Sequence, residues 1–245
     1  MEHAGKTALV TGAAGAIGLA TTAALAKQGA HVFMIDRDAE ALAGATQELG
    51  AAVTPITLDL DDPEATVDAL DRIVARRRID ILVNNAGILT NTKLAGTTLD
   101  QWQQVQRINL QAALLMSQRV VDGMSAAGWG RIINVTSYAA KCGGLTAGTA
   151  YTVSKSAMIG LTFSVAKEFA DKGITVNAVA PAYVMSPMVA EKLTDRQRAE
   201  LLKLIPVCRF CDPAEVAHAI AFLASPKAGF ITGEVLDMNG GLQFD

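Results

Sequence analysis

The sequence predicts an α/β fold, a single domain built on a doubly wound, parallel, seven-stranded sheet. Apolar runs of strand length, rich in β-branched residues, alternate with amphipathic stretches long enough for crossover helices. The runs are apolar almost throughout, which is typical of strands covered on both faces in a parallel sheet. No linker or change of composition divides residues 1–245. Such sheets bind ligands at the carboxyl ends of their strands, so the functional site is expected at that edge.

The apolar runs define the strands in chain order. They lie at 7–11, 31–36, 53–59, 79–85, 131–137, 174–181 and 234–238. The stretches between them predict helices at 16–28, 39–49, 63–77, 100–125, 150–171 and 213–224. Residues 182–211 are the least regular part of the chain. We expect one or two short helices there, either in a mobile segment that covers the substrate or in an insertion that packs a subunit interface.

Composition excludes several classes of protein. The 245 residues carry a net charge of −3 and a pI of about 5.6. The chain therefore lacks the excess of positive charge that is typical of proteins binding nucleic acid or an anionic membrane. No apolar run approaches the ~20 residues of a transmembrane helix, and no signal peptide precedes the first strand. Three cysteines in a chain of this length suggest reduced thiols and a cytoplasmic location.

Cys208 and Cys211 form a CxxC pair that invites a redox or zinc interpretation. No second pair and no nearby histidine completes a four-ligand zinc site, and the histidines of the chain are scattered. We therefore predict two unpaired thiols and no metal site.

A Gly-rich turn at residues 11–18 closes the first strand and opens the first helix. Gly12 allows the tight turn, and the small residues Ala14 and Gly15 let a backbone approach a pyrophosphate. Gly18 lets the helix pack against the sheet. The free N–H groups and the dipole of the helix amino terminus favour the anion. This context predicts dinucleotide binding in a Rossmann fold.

Asp36 ends the second strand, where a carboxylate can accept hydrogen bonds from both ribose hydroxyl groups of an adenosine. The 2′-phosphate of NADP would meet that negative charge, so the predicted cofactor is NAD. Arg37 opposes this prediction, because a guanidinium can pair with a phosphate. We expect Arg37 to stack on the adenine or to point to solvent.

Tyr151 and Lys155 are the pair that predicts chemistry. Residues four apart on a helix share a face, so phenol and ammonium can enter one cleft. An ammonium ~4 Å away, at an effective dielectric of ~20, is worth roughly 4 kcal/mol to the phenolate, or about three pKa units. That shift would bring the phenol near neutrality, where a proton-transfer catalyst works best. Without the Gly-rich turn and Ser137, an ordinary pair of surface residues would be the safer interpretation.

These features together resemble the short-chain dehydrogenase/reductase family, in the type with a TGxxxGxG turn and a YxxxK motif. The resemblance covers essentially the whole chain. The matching pieces are residues 11–18, Asp36, Asp59 and Leu60, residues 84–87, Asn109, Ser137, Tyr151, Lys155 and residues 181–187.

The resemblance implies a role for each matching residue. Ser137 would bond the substrate oxygen, Tyr151 would exchange its proton, and Lys155 would lower the pKa of Tyr151 and bond the nicotinamide ribose. Asn109 would hold a water that links Lys155 to solvent. Without the resemblance, Asn109 would be interpreted as an amide that is hydrogen-bonded in a helix kink. The cofactor set implied besides Tyr151 and Lys155 is Gly12, Ala14, Gly15, Ile17, Gly18, Asp36, Arg37, Asp59, Leu60, Asn85, Ala86, Gly87, Pro181, Val184 and Ser186.

Three departures from the family pattern affect specific sites. Ala16 replaces the second glycine of the turn, which is tolerable if its φ is negative. Ala182 replaces the usual glycine after Pro181 and should stiffen that turn. Ser137 and Tyr151 are fourteen residues apart where the family more often has thirteen. We therefore expect a one-residue bulge in residues 141–149 that shapes the substrate pocket, where Cys142 either touches substrate or fills a buried gap.

The predicted function is an NAD-dependent oxidoreductase that interconverts a secondary alcohol, such as a diol or polyol, and its ketone, with alcohol oxidation as the expected direction. One alternative is a 3-oxoacyl-thioester (acyl-carrier-protein) reductase, for which Lys172 is a candidate docking residue. The other is a non-catalytic dinucleotide-binding sensor. Residues 100–125 and 150–171 are apolar around more of their circumference than one buried face requires, and residues 240–245 could cross to a neighbour. We therefore expect a homotetramer.

Overall fold

A computed structural model describes residues 1–185 and 194–244 of the chain. Seven parallel strands form one sheet in the order β3-β2-β1-β4-β5-β6-β7. The strands are β1 Thr7–Thr11, β2 His31–Asp36, β3 Val53–Thr57, β4 Ile81–Asn84, β5 Gly130–Val135, β6 Ile174–Pro181 and β7 Val235–Met238. The order reverses between β1 and β4, as in a doubly wound sheet. The predicted fold class is confirmed, and its assignment to a single domain stays a prediction.

Helices cover both faces of the sheet. They are α1 Ala16–Lys27, α2 Ala39–Leu49, α3 Pro63–Val74, α4 Leu99–Gln106, α5 Ala112–Ala126, α6 Ala139–Cys142, α7 Thr149–Phe169, α8 Asp195–Leu204 and α9 Pro213–Leu223. One apolar layer packs α1, α2 and α9 against the sheet, and the other packs α3, α5 and α7. The central strands β1, β4, β5 and β6 are buried along their whole length, as their continuous apolar runs predict. No helix of the described residues is long and apolar enough to cross a membrane.

The helix predicted over residues 100–125 is present at residues 99–126, but it is not regular throughout. A wider turn of π-helix at Arg107–Gln111 separates α4 from α5. Asn109 lies in this turn, and its side chain bonds the backbone of Ile88 rather than that of its own helix. Turns of this kind inside α-helices are frequent at functional sites.

The helix amino termini differ in how they are capped. The side chains of Asp38, Asp62 and Asp212 accept hydrogen bonds from the first turns of α2, α3 and α9. At α1 the capping residue is Gly15, no side chain caps the helix, and the first turn holds no acidic residue. The positive end of α1 is therefore left for another anion.

The irregular segment 182–211 is described in part, at 182–185 and 194–211. It contributes α8, one of the short helices expected, and a single parallel bridge between Val184 and Cys211. The middle of the predicted covering segment lies outside the described residues. Both predicted roles of this segment, covering the substrate and packing a subunit interface, stay predictions.

Candidate active site

Three of the four residues predicted to be catalytic meet in one cavity of about 340 Å³ at the carboxyl edge of the sheet, and the fourth, Asn109, does not line it. Ser137 follows β5, and Tyr151 and Lys155 lie one turn apart on α7. The remaining wall comes from the ends of β4 and β6 and from the loop before α7. Its residues are Ile17, Asn85, Gly87, Leu89, Val135, Thr136, Tyr138, Ala139, Cys142, Leu145, Thr146, Ala147, Pro181, Ala182, Tyr183 and Val184.

Burial raises the pKa of the Tyr151 phenol, and the nearby hydroxyl group of Ser137 acts in the opposite direction more weakly. Tyr151 is therefore neutral and carries its proton at physiological pH. The prediction that Lys155 lowers the pKa of Tyr151 stays a prediction, since burial is the largest influence on the phenol in this arrangement and its effect is upward.

Lys155 is buried, and its ammonium donates a hydrogen bond to the Val135 carbonyl oxygen over 2.7 Å. The ammonium lies 6.0 Å from the centroid of the Tyr151 ring. Burial without a carboxylate partner lowers the pKa of Lys155 to about 8. The ammonium is thus charged at neutral pH and begins to lose its proton only slightly above it.

Asn109 reaches the site through the backbone of Ile88. Its carbonyl oxygen accepts from the Ile88 amide over 2.8 Å, and its amide donates to the Ile88 carbonyl and to Ser154 Oγ over 3.2 and 3.0 Å. A Cβ on Gly87 would lie 3.3 Å from both Asn109 Oδ1 and Lys155 Nζ. Asn109 is therefore close to Lys155, but its side chain holds the strand end and α7 together rather than bonding the ammonium.

The Gly-rich turn takes the shape that the sequence predicts. Gly12 has a φ of 62°, and a Cβ there would lie 2.9 Å from Ala86 Cα. A Cβ on Gly18 would overlap the Gly12 carbonyl oxygen. Ala16 keeps a negative φ, since Cys208 is the non-glycine residue with a positive φ in the described chain.

Asn85 fixes the other side of this turn. Its amide donates to the carbonyl oxygens of Thr11 and Gly12 over 2.9 and 3.0 Å. The backbone amides of Asn85 and Ala86 both donate to Thr11 Oγ1 over 3.0 Å. The ends of β1 and β4 are thereby held as one rigid floor.

A second cavity of about 140 Å³ lies on the far side of this floor. Its walls are Gly12, Asp36, Arg37, Leu58, Asp59, Leu60, Ala86, Gly87, Ile88 and Ile108. Asp36 accepts hydrogen bonds from the amides of Ala14 and Asp38 over 3.0 and 3.1 Å, which orients its carboxylate beside the turn. Gly87 lines both cavities, so they lie side by side along the sheet edge, and together they are called the groove below.

This groove fits a dinucleotide. Side chains are missing where the backbone would approach a phosphate, the amino terminus of α1 faces the turn without a cap, and a carboxylate stands at the far end. Ile17, Pro181 and Val184 lie on the catalytic half of the groove, as their predicted cofactor role requires. Ser186 lies outside the described residues.

Sequence reasoning missed several residues of the cavity. Tyr138, Tyr183 and Thr146 line it, and Thr146 lies close enough to Tyr183 to lower the pKa of its phenol against the larger effect of burial. Tyr138 follows Ser137 directly and Tyr183 follows the Pro181 turn, so adjacency to the motifs could have identified both. Cys142 is exposed and lines the cavity, which excludes the alternative of a buried filler.

The buried polar ladder behind the site was also missed. The Asn84 amide donates to Asn134 Oδ1 over 2.9 Å, and the Asn134 amide donates to Thr162 Oγ1 over the same distance. It joins β4, β5 and α7 beneath the cavity. The CxxC cysteines play no such part: Cys208 and Cys211 are free thiols, as predicted, and burial raises the pKa of Cys211 to about 11.

Comparisons with known proteins match this geometry along the chain. Residues 12–243 match the family model described as enoyl-(acyl carrier protein) reductase. Proteins named 3-oxoacyl-[acyl-carrier-protein] reductase from Thermotoga maritima and Vibrio harveyi are 39% and 41% identical, each alignment covering 99% of both chains.

Solved structures agree with the sequences. A putative NAD(P)-dependent gluconate 5-dehydrogenase from Beutenbergia cavernae with bound NADP superposes with a TM-score of 0.91 at 37% identity, covering 98% of this chain and 97% of that one. A 3-oxoacyl-[acyl-carrier protein] reductase from Brucella melitensis gives 0.93 at 34% identity, covering 100% and 93%. The resemblance inferred from the motifs is confirmed, and the chain belongs to the short-chain dehydrogenase/reductase family of oxidoreductases.

Proposed function

We propose that the protein is a nicotinamide-dependent carbonyl reductase, acting on a 3-oxoacyl thioester and forming the corresponding secondary alcohol. The observation that carries the proposal is the meeting of Ser137, Tyr151 and Lys155 in one cavity at the end of a groove that fits a dinucleotide. A non-catalytic sensor has no need of this arrangement.

The chain's own residues divide the work. When bound, the nicotinamide cofactor supplies or accepts the hydride. Ser137 donates a hydrogen bond to the substrate oxygen, and Tyr151 gives that oxygen its proton as negative charge develops on it. The positive charge of Lys155 stabilises the phenolate that remains, and in the reverse reaction Tyr151 takes the proton back.

The protonation state of Tyr151 is the one that carbonyl reduction requires. Because burial raises its pKa, the phenol holds a proton ready for a carbonyl oxygen at neutral pH. The alcohol oxidation expected from sequence needs the phenolate form, which this environment disfavours. The curated relatives that carry a reductase name agree with this direction.

A substrate attached to an acyl carrier protein would also need a docking surface for that protein, for which the sequence suggested Lys172. Lys172 precedes β6 and pairs with Asp171 over 3.1 Å, at the amino end of the strand. The cavity lies at the carboxyl end, eight residues or roughly 26 Å away. Lys172 therefore cannot act beside the cavity of its own subunit, contrary to the expectation from sequence.

A second candidate is the predicted oxidoreductase for a diol or polyol. The similarity to a putative gluconate 5-dehydrogenase favours it. The deciding experiment measures kcat/KM for 3-oxoacyl thioesters of coenzyme A and of carrier protein, and for a panel of diols, polyols and their ketones. Preference for the thioesters by about tenfold or more supports the first proposal, and preference for the polyols supports the second. Cofactor binding without turnover of any of these compounds would instead support a non-catalytic dinucleotide-binding sensor.

For the cofactor we propose NAD, because the oriented carboxylate of Asp36 stands where the adenosine ribose would lie. The relative solved with NADP is the observation against this choice. For the assembly we propose a homotetramer, and for the location the cytoplasm, which suits three free thiols.

A further inference from the structure

Lys93 makes an unusual contact with the loop that precedes α7. Its ammonium donates to the carbonyl oxygens of Gly144 and Ala147 over 2.6 and 2.7 Å, and lies 3.4 Å from that of Leu145. These three contacts match the three donors of an ammonium group. Within residues 1–185 and 194–244, no carboxylate lies within ion-pair distance of Lys93.

The loop needs such a donor because of its backbone shape. Gly143 and Gly144 both have a φ of 76°, which turns the chain sharply just before Leu145. The bend turns several carbonyl oxygens toward one point. Buried or crowded carbonyl groups without donors are costly, and the ammonium of Lys93 satisfies them together.

Backbone contacts extend the same attachment. The amide of Gly148 donates to the Thr90 carbonyl over 2.6 Å, and the amide of Thr149 donates to the Thr92 carbonyl over 3.0 Å. A Cβ on Gly148 would overlap both of these carbonyl oxygens. The loop thus lies directly on residues 90–93, and Lys93 holds the part of it that backbone bonds do not reach.

The part of the loop held by Lys93 forms one wall of the catalytic cavity. Leu145, Thr146 and Ala147 line that cavity, and Thr146 lies close enough to Tyr183, another lining residue, to lower the pKa of its phenol against the larger effect of burial. Lys93 itself does not line the cavity. Lys93 therefore holds this wall in place from outside the cavity.

We infer that Lys93 is a positioning residue that sets substrate selectivity, by fixing residues 144–147 as a wall of the catalytic cavity. The selectivity part rests on the proposed function, since it assumes that this cavity receives the carbonyl substrate. Neutralising Lys93 releases the wall, and a wider cavity discriminates less between small and bulky substrates.

The test compares wild type with Lys93→Met, which keeps the length of the side chain and removes its donors. Lys93→Arg keeps the charge and donors, and Lys27→Met is the control, an exposed lysine in the last turn of α1. Hydrogen–deuterium exchange of residues 143–149 is expected to be faster by about fivefold or more in Lys93→Met alone. Lys93→Arg should restore most of the protection.

The kinetic arm uses a short, unbranched ketone substrate and a branched one. In Lys93→Met, KM for the short substrate should rise about fivefold or more with kcat nearly unchanged, and the preference for it over the branched one should shrink. Unchanged exchange in residues 143–149 would overturn the positioning role. Faster exchange with unchanged selectivity would overturn the selectivity role. If the wild type turns over no carbonyl compound, the proposed function fails and exchange alone decides the positioning role.

Discussion

At the scale of single residues, Tyr151 and Lys155 divide two tasks that one side chain cannot combine. Burial keeps Tyr151 protonated, so Tyr151 can donate a proton to the substrate. Lys155 is the nearby positive charge that stabilises the phenolate formed when that proton is donated. The sequence predicted the partners from their spacing. It could not predict that burial would dominate the phenol, because the depth of the cavity depends on loops from β4, β5 and β6.

Replacing Tyr151 with Phe should reduce kcat for carbonyl reduction by about 10²–10⁴-fold, because it removes the proton donor. Cofactor affinity, measured by fluorescence titration, should change little. Tyr138→Phe is the matched control, since it removes a hydroxyl group from the same cavity, and its kcat should stay within about tenfold of the wild type. Substantial turnover by Tyr151→Phe would remove Tyr151 from the mechanism.

Lys155 should give the reaction an alkaline limit. The pKa of Lys155 is lowered to about 8, so its stabilising charge is present below that pH and lost as pH rises through it. A pH profile of kcat should therefore fall above about pH 8. In Lys155→Arg the guanidinium stays charged, so this limb should disappear even though kcat is lower. The same limb in both proteins would assign it to another group.

Asp36 should determine the choice of cofactor. A net 2–3 kcal/mol against a 2′-phosphate corresponds to a roughly 30- to 150-fold preference for NAD. In Asp36→Ser the repulsion disappears and Arg37, exposed beside it, is free to pair with the phosphate. The ratio of kcat/KM for the two cofactors should move toward NADP. Wild-type preference for NADP would contradict the assignment, and so would an unchanged ratio in the variant.

At the scale of elements, the amino terminus of α1 differs from those of α2, α3 and α9, which aspartates cap. Gly15→Asp should give α1 a cap of its own and stabilise the protein by about 0.5–1 kcal/mol, seen as a higher Tm. The same carboxylate would repel a pyrophosphate, so cofactor affinity should fall. Gly15→Ala controls for the added Cβ, which would lie 3.4 Å from the Gly12 carbonyl oxygen. Unchanged cofactor affinity in Gly15→Asp would place the phosphates elsewhere.

The same scale shows what pattern could and could not predict. The strands β1 and β2 and the helix α2 have the bounds predicted from the sequence. A strand buried on both faces leaves a continuous apolar run, and a helix buried on one face leaves a periodic one, so both can be located from the sequence. The break at 107–111 was not predicted, since it depends on the long-range bonds of Asn109 with Ile88 and Ser154. The attachment of residues 144–147 to Lys93 is likewise invisible in sequence, because the partners are about fifty residues apart.

At the scale of the whole molecule, the described surface keeps more apolar area than one subunit needs. Leu99, Leu114, Val153 and Phe163 are 68%, 39%, 40% and 50% exposed, and they lie on α4, α5 and α7, of which α7 contacts the other two. Phe230 and Phe244 are exposed near the carboxyl end of the chain. Clusters of large exposed apolar side chains mark protein interfaces more often than solvated surfaces.

The expected assembly is a homotetramer with two-fold axes, in which these helices meet their copies and the carboxyl-terminal segment reaches a third subunit. Multi-angle light scattering at micromolar concentration should give about four times the chain mass of 25.6 kDa. Phe163→Glu should shift it toward smaller species, because a charge would be buried in an apolar contact. Glu168→Gln, on the same helix, is the control and should leave the mass unchanged. A monomeric wild type would contradict the assembly, and each exposed leucine and phenylalanine would then need a partner of a different kind.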